Sequence, residues 1–138
     1  MNPTLKNVIA VVVGLIVGMV CNMLILMLGF KFGGFPEGLD FADPDSLKNM
    51  LPNFELKHFI TPFLAHASQA LVGGFVAAKI AANNKMKMAL IVGGLSLLGG
   101  IMNILNIGGP MWYNALDVIL AYIPMSWLGA RLAGVKSM

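Results

Sequence analysis

The sequence predicts an all-α protein: a transmembrane four-helix bundle with a long extracytoplasmic loop that contains a short interfacial helix. Three observations predict it. Apolar residues make up 58% of the 138-residue chain, charged residues only 11%, and mean hydropathy is +0.82, a composition unlike that of soluble domains. The apolar residues gather into four stretches, residues 7–29, 59–82, 88–107 and 112–132, each long enough for the roughly 20-residue helix that the hydrocarbon core requires. What remains, chiefly the connection 30–57, is too short for a separate catalytic domain. Residues 1–138 are therefore expected to form a single membrane domain whose first partner is the lipid bilayer.

Charge orients the spans. Lys6, Lys79, Lys85, Lys87, Arg131 and Lys136 all fall at one end of the bundle, and Lys31, Lys48 and Lys57 at the other are offset by Glu37, Asp40, Asp43, Asp45 and Glu55. By the positive-inside rule both termini are cytoplasmic and the loop is outside. The net charge of +3 is spread over helix ends rather than gathered into a stripe, so no nucleic-acid partner is expected.

The first span reads as a retained anchor, being longer than a signal-peptide core and followed by no small-x-small cleavage site. It carries Gly14-x-x-x-Gly18, a spacing that lets another backbone approach closely. The approaching helix belongs either to this chain or to a second copy. Cys21 has no cysteine partner and is read as a small apolar filler.

The loop 30–57 is longer than most helix connections, and Phe30, Phe32, Phe35, Phe41 and Phe54 argue that it packs. Asp43-Pro44-Asp45-Ser46 is an N-cap followed by Pro at the first helical position, and Pro52 ends the short helix so begun. It is expected to lie on the membrane surface or to fold back over the bundle. The acids Asp40, Asp43 and Asp45 lack the spacing of a calcium loop.

The second span opens at Thr61-Pro62. Steps of four from His66 give Ala70, Gly74 and Ala78, and from Gln69 they give Gly73 and Ala77. Two small-residue ridges make a wide face for close packing, with His66 and Gln69 at its outer end, turned toward protein. A short connection makes the third span an antiparallel neighbour. That span holds Gly93, Gly94, Gly99 and Gly100, with Ser96, Asn103 and Asn106 near one face. Gly108-Gly109-Pro110 ends it, Trp112 and Tyr113 suit the outer interface and Trp127 the inner one. The fourth span is expected to continue through Pro124, with neighbours satisfying the freed carbonyl.

At 1.5 Å per residue the polar residues of the spans fall at one level: Asn22 and His66 roughly 10 Å from their outer ends, Asn103 and Asp117 roughly 7 Å, and Gln69 a turn deeper. His66, Asp117, Asn22, Asn103 and Gln69 are thus the candidate polar site, with His66 and Asp117 the ionisable pair. The alternative is structural: Asn114-x-x-Asp117 caps its own helix, and the amides only join helices. His66, Asp117 and His58 are too few for a metal site. Neither a metal, a cofactor nor a catalytic residue is expected, since no nucleophile stands beside a base.

The runs His58-Phe-Ile-Thr-Pro-Phe-Leu-Ala-His66, Gly99-Gly-Ile-Met-Asn103 and Ala121-Tyr-Ile-Pro-Met-Ser-Trp-Leu-Gly129 resemble a group of short bacterial four-span membrane proteins of unassigned function. The resemblance extends over nearly the whole chain. It implies a compact bundle in a bacterial inner membrane and carries over no activity. Two functions follow as expectations. The first is a non-enzymatic structural or accessory component that self-associates or serves a larger membrane complex through its Gly and Ala faces. The second is a small proton-linked or polar-solute carrier or channel using the His/Asp/Asn layer, with the loop as a lid.

Overall fold

A computed structural model describes residues 1–136; Ser137 and Met138, the end of the expected domain, lie outside the described residues. The chain is all-helical, with four segments long and apolar enough to cross a membrane. They comprise α1 (Pro3–Lys31), α3 (Ile60–Ile80), α4 (Lys85–Ile107) and a fourth span divided into α5 (Met111–Leu120) and α6 (Ile123–Leu132). The loop helix α2 (Pro44–Met50) is followed by two single 3₁₀ turns, Leu51–Asn53 and Leu56–Phe59.

Helix α3 is the hub, packed by α1, α4 and α6, and the reason lies in its small residues. Ala70, Ala77 and Ala78 are at most 1% exposed, and Gly73 and Gly74 are buried beside them. The ridge that begins at Gln69 meets α1 through Ala10, Gly14 and Gly18. A Cβ on Gly14 would lie 2.6 Å from the Gly73 carbonyl oxygen, and one on Gly18 would lie 2.5 Å from that of Gln69. Gly14-x-x-x-Gly18 is therefore a contact within the chain. The ridge that begins at His66 receives α6: a Cβ on Gly74 would meet the Ser126 backbone at 2.6 Å, and Ala78 shares a buried cluster with Ala130. Without bulky side chains between them, backbones approach closely and van der Waals contact replaces the hydrophobic effect that lipid does not supply.

Glycine is not used uniformly. Gly94 on α4 has open space where its Cβ would be, whereas Gly14 has none. Gly94→Ala is expected to be neutral or to stabilise by up to about 1 kcal/mol, because alanine is the better helix former. Gly14→Ala should cost about 1–3 kcal/mol through forced separation of α1 and α3. Thermal unfolding of the two variants in the same detergent checks this; equal midpoints would contradict it.

The fourth span differs from expectation. Pro124 has no N–H for the Leu120 carbonyl and its ring collides with that group in a continuous helix. Helix α5 accordingly stops at Leu120, Ala121 donates back to the Asp117 carbonyl at 2.9 Å, and Tyr122 leaves helical geometry with φ −113° and ψ −77° before α6 resumes. Ser126, fully buried, returns its hydroxyl to the Ile123 carbonyl at 3.0 Å.

The loop packs as its aromatic content suggests. Phe30, Phe35 and Phe41 form a ring cluster with centroids 4.7–5.1 Å apart, and Phe35 and Leu39 are buried. Asp43 caps α2 by accepting from the Asp45 amide at 3.0 Å, and Asp40 accepts from the Ala42 amide at 2.9 Å. These two acids thus stabilise local turns. At the opposite end Asn7 fastens the α3–α4 connection, accepting from the Ala82 amide at 2.9 Å and donating to Asn83 Oδ1 at 2.7 Å.

Candidate functional site

Polarity inside the bundle is concentrated in two hydrogen-bonded groups near the loop end. In the first, Asn22 of α1 donates through Nδ2 to Gln69 Oε1 of α3 at 2.7 Å, and Gln69 Nε2 donates to Ser96 Oγ of α4 at 3.3 Å. One side chain from each of three helices is tied to the next. The second joins α3 to the divided span: His66 Nδ1 lies 2.9 and 3.0 Å from the two Asp117 oxygens, and Tyr122 donates its hydroxyl to Asp117 Oδ2 at 3.2 Å. Asp117 is 3% exposed and Tyr122 2%.

The helix break explains why Tyr122 reaches Asp117. Five residues along an unbroken helix would set the two side chains roughly 140° apart. The turn at Ala121–Tyr122 brings the ring back onto His66, with centroids 5.7 Å apart and planes 25° from parallel. Gly100 on α4 leaves the space that the Tyr122 hydroxyl fills. With Asp117 ionised, His66 Nδ1 must carry a proton and donate it. Nε2 then has no protein partner among the described residues.

Above these groups lies a cavity of about 340 Å³, within the size range of small-molecule sites. Its polar wall includes Asn22, His66, Asn103, Tyr113, Asn114 and Asp117. Its apolar wall comes largely from the loop, through Phe41, Pro44, Leu47, Leu51 and Phe54. Two lining residues each carry a buried polar atom without a hydrogen-bond partner among the described residues, Asn22 Oδ1 and the Tyr113 hydroxyl. Each such group costs about 1–3 kcal/mol when left unpaired.

The expected site residues are partly brought together. His66 and Asp117 pair directly, and Asn22 and Gln69 bond to one another beside them. Gln69 does not line the cavity. Asn103 does, although its side chain makes no hydrogen bond among the described residues. The capping alternative for Asp117 is corrected. Helix α5 begins at Met111 after Pro110, so Asn114 sits inside the first turn, where Nδ2 donates back to the Gly109 carbonyl at 3.3 Å. Asp117 lies a further turn in and bonds across to another helix. His58 has a local role, its Nδ1 accepting the Glu55 amide at 2.9 Å at the head of the second 3₁₀ turn.

Tyr122, Tyr113 and Asn114 were not among the expected site residues. The spacing of Asn114 and Tyr113 from Asp117, three and four residues, was available as a signal of a shared helix face. No family model, curated protein or solved structure matches the chain.

Proposed function

We propose that the protein is a small carrier in a bacterial inner membrane, with both termini cytoplasmic, that binds a polar solute in the cavity beneath its loop. One observation carries the proposal: an almost fully buried carboxylate, Asp117, engaged by His66 and Tyr122, forms part of the wall of a 340 Å³ cavity. Ionisable groups within membrane spans are costly, and they are retained where a solute or proton must be met. His66 Nε2 can accept a hydrogen bond from the solute, and the amides of Asn103 and Asn114 can donate. The Gly and Ala faces that favour an accessory component are occupied within the chain, which moves the balance toward solute binding.

The test is ligand-induced thermal stabilisation in detergent, across a panel of small polyols, amides and amines. A ligand that binds the folded state alone stabilises by about 2.7 kcal/mol at a hundred times its Kd. At least one compound should raise the unfolding temperature saturably in the wild-type chain and not in Asp117→Asn or Asn22→Leu. A panel without a saturable shift, or shifts that persist in both variants, would overturn the proposal.

A further inference from the structure

A second concavity adjoins the polar cavity, and the pair defines the shape of the ligand. This groove, of about 780 Å³, shares Leu51, Phe54, Phe59, Ile107 and Gly109 with the cavity. Its outer rim includes Leu56, 72% exposed, and Trp112, 50% exposed. Both stand at the loop-end limits of membrane spans, Leu56 at the start of the second and Trp112 one residue into the fourth. The groove therefore opens at the interface level of the leaflet on the loop side, where an amphiphile's chain and head meet.

The charges select the head group. Among the described residues no Lys or Arg lines the cavity; the one cation of the adjoining groove, Lys48 on the exposed loop helix, lies outside it, and His66 is already engaged by Asp117. An anionic head would face the Asp117 carboxylate without a counter-charge. The acceptor His66 Nε2 instead suits a neutral head that donates a hydrogen bond. Resting on the reading of the cavity as a solute site, we propose that the ligand is a single-chain amphiphile with an uncharged, hydroxylated head of the monoacylglycerol class. It is drawn laterally from the leaflet on the loop side. The head occupies the polar cavity and the chain occupies the groove beside Leu56 and Trp112.

Trp127→Phe leaves Trp112 as the only indole, so quenching by brominated chains reads groove occupancy directly. In phosphatidylcholine nanodiscs, a chain-brominated monoacylglycerol should quench Trp112 saturably and beyond the level given by brominated phosphatidylcholine at equal bromine content. A chain-brominated fatty acid should not exceed that level. Leu56→Arg places a charge in the groove at an exposed position, leaving the fold intact, and should weaken the saturable part more than about tenfold. Quenching that follows bromine content alone, persists in Leu56→Arg, or is matched by the fatty acid overturns the assignment. If chainless polyols or amides still stabilise the wild-type chain but not Asp117→Asn, the solute site stands and only the amphiphile is lost; if they too have no effect, both fall.

Discussion

Replacing His66 with leucine is expected to destabilise the bundle by about 3–5 kcal/mol, and to do so more than replacing its partner Asp117. Removing one member of a buried hydrogen-bonded pair leaves the other without its partner, but the two survivors differ. Without Asp117 no buried carboxylate remains, and His66 faces the cavity. The remaining cost is chiefly the unpaired Tyr122 hydroxyl, about 1–3 kcal/mol, since His66, 22% exposed, can turn Nδ1 toward the cavity. Without His66 the carboxylate, 4% exposed, keeps only the Tyr122 hydroxyl. A buried carboxylate that has lost its main partner is the costlier survivor, which sets the scale. The double replacement by leucine should be less damaging than His66→Leu alone, since no charge is then left behind. Equilibrium unfolding in mixed micelles measures all three variants. The argument fails if His66→Leu costs no more than Asp117→Leu.

The second large effect is expected at Gly129 on α6. A Cβ there would fall on the Leu71 carbonyl oxygen and lie 2.8 Å from the Phe75 amide nitrogen. Both are backbone atoms of α3, so no rotamer change relieves the clash and the helices must part. Gly129→Ala is expected to cost about 3 kcal/mol or more, at the upper end for an overpacked core. Because α3 contacts every other span, the separation should also loosen the Ala78–Ala130 cluster. The thermal midpoint in detergent reports it, and an unchanged midpoint would show that α6 is not held against α3.

The fold was legible because membrane spans need few words: length and hydropathy locate the helices, and small residues four apart identify the hub. The His66–Asp117 pair was legible for a similar reason, since depth along a straight helix is simple arithmetic. Tyr122 was not, because its position depends on a break that the span length conceals. Pro124 carried that signal, but in a bilayer it is compatible with either a tolerated kink or a full interruption. Asp117 was ambiguous because three residues separate it from Asn114 whether or not the helix starts there. The deciding feature is where α5 begins, after Gly109 with φ +115° and the extended Pro110. Gly14-x-x-x-Gly18 left open which backbone it would meet, since the spacing describes a surface and not its occupant.

The hub position of α3 also bears on how the chain enters the bilayer. Helix α1 emerges first and is the most apolar span, with mean hydropathy 2.8, whereas the span that contains α3 reaches only 1.3 and carries His66, Ser68 and Gln69. Inserted alone, α3 would present those groups and a face of alanine and glycine to lipid. The waiting α1 supplies both the groove for that face and the Asn22 amide for Gln69. Synthesis order thus places a chaperone-like surface in the membrane before the helix that needs it, and α3 is delivered to a scaffold already anchored.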